Sequence, residues 1–272
     1  MSEGYRERCL QLHRILDEMP GALVAFSGGV DSTALLAAAR ERLGPEKVIA
    51  VTADGPAYPA HERQESVEIA EAFGVSQRIL GTDELGREGY RRNAEDRCYF
   101  CKTELFTEIA AVIRAQDLPP WPLLYGAIAD DLGDHRPGLQ AATEHGVRAP
   151  LAECGFSKDE VRRYSRELGL PTADKPSFAC LSSRVAYGIE IDQALLSRIE
   201  AAEELLRSRG FRQFRVRHHG TIARIELEEQ ELLRACEDPL RGEILQRLKG
   251  LGWSWVCLDL SGFRSGSMNA EL

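Results

Sequence analysis

Apolar residues recur at helical spacing through residues 10–19, after which the pattern shortens to a continuous apolar run at 21–26 that breaks on Ser27, Gly28 and Gly29. Residues 30–42 are rich in Ala and Leu, so this stretch predicts helix, strand, glycine turn and helix. The alternation continues with apolar runs at 47–53 and 123–128, a third strand expected at 76–80, and helical patterns at 62–73 and 104–115. Short apolar runs separated by helices predict a parallel sheet covered on both faces. Residues 147–151 predict one more strand. Ser157 followed three residues later by Glu160 is a capping-box pattern for a helix reaching Leu168, which Gly169 and Pro171 stop.

From Asp192 the order changes. A helix to Arg209, strands at 211–218 and 221–227 around a Gly220 turn, a helix at 240–248 and a strand at 254–260 predict a small α+β unit built on hairpin-type pairing. The expected class is therefore α/β, with a parallel-sheet domain over 1–187 that carries the cysteines. A smaller C-terminal α+β domain over 188–272 would serve substrate binding or oligomerisation. The boundary is expected at 186–191, where Gly188 breaks the pattern.

Composition narrows the functions. The chain has 272 residues, 43% hydrophobic and 28% charged, which is enough for one large and one small core. No stretch approaches the roughly 20 apolar residues of a membrane span, and the first residues are polar, so a cytoplasmic protein with no membrane partner is expected. The net charge of -9 argues against a nucleic-acid partner. Seven cysteines in such a chain read as thiols, cluster ligands or catalysts, not as a disulfide framework.

Residues 27–32 read Ser27, Gly28, Gly29, Val30, Asp31, Ser32 between predicted strand and predicted helix. A turn of this kind aims successive backbone N–H groups at one point, where the helix dipole adds attraction for an anion. Glycine permits close approach of phosphate, and Ser27 and Ser32 add hydroxyls. No Lys stands in the loop, which disfavours Walker-type chemistry. The string resembles the pyrophosphate loop of the N-type ATP pyrophosphatases, which cleave ATP between the α- and β-phosphates and adenylate their substrates. That resemblance implies a PP-loop fold, ATP held by the six loop residues, and Mg2+ held by Asp31. In open α/β sheets ligands sit beyond the carboxyl ends of the strands, which adds Ala53 and Gly126 to the ATP site and draws attention to Asp130 and Asp131.

Cys98 and Cys101 form a C-x-x-C before the helix predicted at 104–115, and Cys180 stands apart near Lys175 and Arg184. Thiolates are metal ligands as well as sulfur nucleophiles. A four-ligand zinc site with Cys154 as the fourth ligand, a redox pair and three unrelated buried thiols remain alternatives. Three thiolates on a four-iron cluster would leave one iron open to an exogenous sulfide.

The octapeptide at 131–138, the segments 176–184 and 211–220, and Gly-Phe-Arg-Ser-Gly-Ser at 262–267 resemble the LarE family over nearly the whole chain. These are ATP-dependent sulfurtransferases of nickel-pincer nucleotide biosynthesis, associated with lactate racemase maturation. The resemblance implies sulfuration of pyridinium-3,5-biscarboxylic acid mononucleotide through an acyl-adenylate. In one type of member the cysteine matching Cys180 is a sacrificial sulfur donor. In the other, cysteines matching Cys98, Cys101 and Cys180 bind a [4Fe-4S] cluster, and this sequence matches that pattern. Cys180 and Asp31 are then the catalytic candidates, with ATP, Mg2+ and the cluster as cofactors. The implied partners are the small-molecule nucleotide, a sulfide source, a second copy in a homo-oligomer and a nickel-inserting enzyme for handover. Arg212, Arg215 and Arg217, in a basic segment with His218 and His219, are candidates for the substrate phosphate, since alternate strand residues share a face. Rival readings are a tRNA-thiolating PP-loop enzyme, an ATP-dependent amidotransferase and a nucleotide-sensing module.

Overall fold

The structure is a computed structural model and describes residues 3–115, 117–132, 137–176, 179–264 and 267–268. Parts of the strings that carry the family resemblance, namely residues 133–136, 177–178 and 265–266, lie outside these.

The chain divides into two compact units, Met1–Glu84 with Cys98–Phe178, and Leu85–Arg97 with Ala179–Leu272. The second unit thus takes its residues from two stretches of the chain, where the sequence had suggested one break at 187/188.

The first unit runs α1 (Glu3–Asp17), β1 (Ala22–Ala25), α2 (Val30–Leu43), β2 (Val48–Asp54), α3 (Ala60–Ala72) and β3 (Ser76–Gly81). The short α4 (Glu88–Arg91) lies in the second unit, and α5 (Arg97–Arg114) brings the chain back to β4 (Leu123–Tyr125). The helices α6 (Ala129–Leu132), α7 (Pro137–Glu144), α8 (Pro150–Glu153) and α9 (Lys158–Glu167) follow. The four strands pair in the order β3-β2-β1-β4, all parallel, as the α/β class requires. Alternation decides which face each side chain joins. Ala22, Val24, Val48 and Ala50 enter the core with Leu12, Leu16, Leu35, Leu36, Val161 and Tyr164 of α1, α2 and α9. The intervening Leu23 and Val51 enter the opposite core with Leu105, Phe106 and Ile109 of α5. Burial of β1 and β2 on both faces explains the unbroken apolar runs at 21–26 and 47–53.

Two local expectations are corrected. The stretch 147–151 is not a strand: Arg148 makes a single bridge to Leu124, and Pro150, which lacks an N–H for a ladder, opens α8. The helix expected from 104 begins at Arg97, because nothing in 97–103 breaks it and Tyr99 already packs on the core. Cys98 and Cys101 therefore lie within its first turns. Ser157 caps α9 with the full capping box.

The second unit contains α10 (Gln193–Ser208), β5 (Phe214–His219), β6 (Ile222–Leu227), α11 (Leu232–Cys236), α12 (Leu240–Gly250) and β7 (Trp255–Leu258). The β5–β6 pair is the expected antiparallel hairpin, with Gly220 at φ 64°, but β7 returns parallel to β6 after two helices. No described helix is long and apolar enough to cross a membrane.

Candidate active site

Residues 27–32 lie where the carboxyl end of β1 passes into α2. Phe26 donates its N–H to Val51 O at 2.8 Å and accepts from Thr52 Oγ1 at 2.8 Å, which pins the loop to β2. Gly28 turns the chain at φ 65°, and a Cβ there would also meet Ser66 Cβ at 3.3 Å. Gly29 is the N-cap of α2 and has no side chain to cap it, so no side-chain cap is spent on the first-turn amides. Ser32 Oγ donates to Gly29 O at 3.2 Å, and it lies 3.3 Å from the Ser27 amide and 3.2 Å from Ser27 Oγ. This keeps both hydroxyls on one turn. The result is a backbone cradle for an anion.

Gly126 faces this cradle from the segment after β4. A Cβ on it would lie 3.0 Å from Ser32 N and 3.1 Å from Ser32 Cα, so the space that glycine leaves is filled by the backbone of the first turn of α2. Ala53 is the penultimate residue of β2, half-buried. Asp131 Oδ2 accepts from the Ile128 amide at 3.0 Å and Asp130 Oδ2 from the Lys158 amide at 2.9 Å, so both carboxylates brace backbone.

Two lysines that no sequence pattern assigned to the loop complete it. Lys158 Nζ donates to both carboxylate oxygens of Asp31, at 2.9 and 2.7 Å, across 127 residues of sequence. Lys175 Nζ donates to Gly28 O at 3.3 Å and pairs with Glu62 at 2.6 Å and with Glu65. Burial opposes the Glu62 charge, but hydrogen bonds from His61 and Lys175 outweigh it and hold its carboxyl below the usual range. One signal for Lys158 was visible: an ammonium at the first position of a helix opposes the helix dipole.

Cys98 and Cys101 are three positions apart on α5 and so share a face. Cys98 is exposed and Cys101 half-buried, its thiol 3.9 Å from Glu84 Oε1. Burial pushes the Glu84 carboxyl up, the charge of Glu104 adds to this, and the hydrogen bond from Thr82 Oγ1 (3.0 Å) works against it. Glu84 Oε2 is buried with no partner among the described residues, and a Cβ on Gly55 would collide with it.

In the second unit Cys180, half-buried, precedes a single 3-10 turn, Leu181–Arg184, whose Ser183 amide and hydroxyl both donate to Cys180 O. Arg184 makes a two-pronged pair with Glu203 at 2.9 and 3.0 Å, both side chains at 3–4% exposure. Glu203 also accepts from the Val216 amide. Burial opposes its charge, but Arg184 outweighs burial and holds the carboxyl below the usual range. Arg215 is lowered to about 10 by burial and by Arg184. Arg217 donates to Ser183 O at 2.9 Å and to Glu226 at 2.9 Å, while its buried Nε has no partner among the described residues. With Arg224 also on Glu226, this cluster carries more guanidinium than carboxylate charge. Arg97, the residue before Cys98, donates to Ser182 O at 2.9 Å and to Asn93, itself bonded to Val185 O and Ala186 O. Within this unit, then, the segment leading to Cys98 is tied to the one following Cys180.

Arg212 is exposed and precedes β5, on the opposite parity to Arg215 and Arg217. His218 is buried and its Nδ1 accepts from Trp253 Nε1 at 2.9 Å. Among the described residues, no group of three or more His, Cys, Asp or Glu side chains is gathered to hold a metal ion.

No protein-family model matches the chain. An uncharacterized protein of Synechocystis sp. is 41% identical over 96% of each chain. Pyridinium-3,5-bisthiocarboxylic acid mononucleotide synthase of Lactiplantibacillus plantarum is 36% identical over 94% of this chain and 92% of its own. Argininosuccinate synthase of Haloarcula marismortui is 30% identical over 54% of this chain and 37% of its own. At that identity and near-complete coverage, the chain belongs to the family of the pyridinium-3,5-bisthiocarboxylic acid mononucleotide synthases.

Proposed function

We propose that this enzyme uses ATP to sulfurate a pyridinium-3,5-dicarboxylate mononucleotide to the bis-thiocarboxylate. The Lactiplantibacillus plantarum relative is a synthase of that product, and the observation that carries the chemistry is the uncapped, glycine-turned amide cradle between β1 and α2. A carboxylate is a poor acyl acceptor because its oxygen is a bad leaving group. On the cradle a substrate carboxylate oxygen attacks the α-phosphorus of ATP and pyrophosphate departs. Hydrosulfide then attacks the acyl carbon and AMP leaves with the carboxylate oxygen, giving a thiocarboxylate. A second round converts the other carboxylate. Loop amides stabilise charge developing on the phosphates. Arg215 and Arg217 are suited to the substrate's own phosphate, because they stand at alternate positions of β5 within a guanidinium-rich cluster.

Asp31 suits Mg2+, which takes one or two carboxylates together with phosphate oxygens; the ion would neutralise phosphate charge. For a [4Fe-4S] cluster the donor chemistry is present in Cys98, Cys101 and Cys180, but the described residues do not gather a metal-binding group. A cluster, when bound, would carry the sulfide; no step above depends on it. Anaerobic reaction with Mg–ATP and sulfide should give substrate heavier by sulfur for oxygen, together with AMP and pyrophosphate. Protein that loses one sulfur and two hydrogens would place the donor on Cys180, and ADP as product would refute adenylation.

A further inference from the structure

The short turn that follows Cys180 has its carbonyls held by guanidinium groups. Arg184 donates to Ala179 O and, at 3.1 Å, to Cys180 O; Arg97 donates to Ser182 O and Arg217 to Ser183 O, each at 2.9 Å. The three arginines are at most 6% exposed. Arg184 and Arg217 also pair with Glu203 and Glu226, so their burial serves the cluster already described. Arg97 reaches Asn93 Oδ1 and Ser182 O, both through Nη1, and lies 5.9 Å from the centre of the Tyr187 ring.

Two neighbours of Arg97 grip the same turn. Tyr90 Oη and Ser182 Oγ lie 2.5 Å apart, so Ser182 is held at both its hydroxyl and its carbonyl. Asn93 donates from Nδ2 to Val185 O and Ala186 O, at 3.3 and 2.9 Å, while its Oδ1 accepts from Arg97. Tyr90, Asn93 and Ser182 are at most 1% exposed. Asn93 sits at φ 52°, a left-handed conformation that Asn tolerates better than most side chains. Such backbone persists where its surroundings over-determine it, and it gathers at functional sites. The Gly188 amide donates to Asn93 O and the Ile191 amide to Arg91 O, which pins 90–97 along 182–191.

At a surface, water would satisfy the spare carbonyls of a single turn. Here buried side chains do so, and a satisfied buried network is held in one geometry. We infer that Arg97 is a positioning residue for Cys180: with Tyr90 and Asn93 it fixes Ser182, and through the turn it sets how the Cys180 sulfur is presented. This rests on the reading of Cys180 as a residue of sulfur transfer. As donor or as ligand of a sulfide carrier, Cys180 serves sulfur delivery and not adenylate formation. Loosening the brace therefore uncouples the two half-reactions.

Three variants of the whole chain test this with Mg–ATP, the pyridinium mononucleotide and sulfide, counting pyrophosphate and thiocarboxylate separately. In Arg97→Met the yield of thiocarboxylate per pyrophosphate should fall by up to about a hundredfold, the cost of a misplaced reacting group. Arg97→Lys should recover part of it, because an ammonium has donors for both acceptors. Tyr90→Phe, which deletes a single hydroxyl, should show a smaller fall. On chelator-treated protein, iodoacetamide should alkylate Cys180 faster in Arg97→Met and Tyr90→Phe than in the wild type, with the exposed Cys257 as an unchanged reference. Pyrophosphate and thiocarboxylate falling by one common factor would overturn the inference, since that is loss of folded enzyme. An unchanged ratio with unchanged Cys180 alkylation overturns it too. Should Arg97→Met fail to fold, Tyr90→Phe decides alone. Full thiocarboxylate yield from Cys180→Ala would refute the sulfur role of Cys180 itself, which the alkylation contrast does not assume.

Discussion

The glycine-turned loop of the first unit and the arginine cluster of the second, the two anion sites we propose, are built by opposite means. The loop works with backbone amides and two hydroxyls, from six consecutive residues, with its ion pair open to solvent. The cluster works with side chains from a 3-10 turn, a helix and two strands, and its Arg184–Glu203 and Arg217–Glu226 pairs are at most 6% exposed. Backbone recognition costs little to hold in place. Buried charge does not, because each ion left without its partner keeps its desolvation cost. The two regions should therefore fail differently: the cluster by losing the fold, the loop by losing its ligand.

Glu203→Ala breaks the comparison most sharply. It strands Arg184 and the Val216 amide and should cost about 3–5 kcal/mol in denaturant unfolding. A loss under about 1 kcal/mol would mean that the pair is not dry. Next comes Gly126→Ala, whose added Cβ presses on the backbone of Ser32. A loss of about 1–3 kcal/mol is expected, the range for overpacking, together with weaker ATP binding because the cradle itself shifts. Asp31→Asn, by contrast, should change stability by less than about 1 kcal/mol while removing the Mg2+ dependence of ATP binding.

These contrasts also explain what could be read from the sequence. Ser27 to Ser32 was legible because its chemistry is contiguous and backbone-made, and the parallel sheet because strands buried on both faces leave unbroken apolar runs. Lys158 and Lys175 reach the loop from 127 and 147 residues away, a distance no local pattern encodes. Gly126 was expected at the ATP site from its place after a strand, but the space its missing side chain leaves is filled by the turn of α2. Glu203 did leave a trace. It stands on the buried stripe of α10 with Leu196, Ile199 and Leu206, where an acid must have a partner. The start of α5 was missed because only Tyr99 marks a buried face there.

The smallest expected effects are in pH. The Glu203 carboxyl lies below its ordinary value of 4.5 in the fold, so its contribution is present above that value and is lost as pH falls through the lowered one. In Glu203→Gln the acid limb of the stability curve should flatten. His218 is also lowered, by burial first and then by the charge of Arg198. The unfolded chain takes up that proton first, so stability should begin to decline as pH drops below about 6.5, the ordinary histidine value. His218→Gln should reduce the slope there, and an unchanged slope would remove His218 from the account.

If the loop joins a substrate carboxylate to AMP, an oxygen of that carboxylate must leave with AMP. Both carboxylates of the pyridinium mononucleotide can be labelled with oxygen-18 and the label followed through turnover with Mg–ATP and sulfide. Each AMP released should carry one labelled oxygen, with one AMP for each carboxylate sulfurated. Unlabelled AMP, or ADP in its place, would refute adenylation.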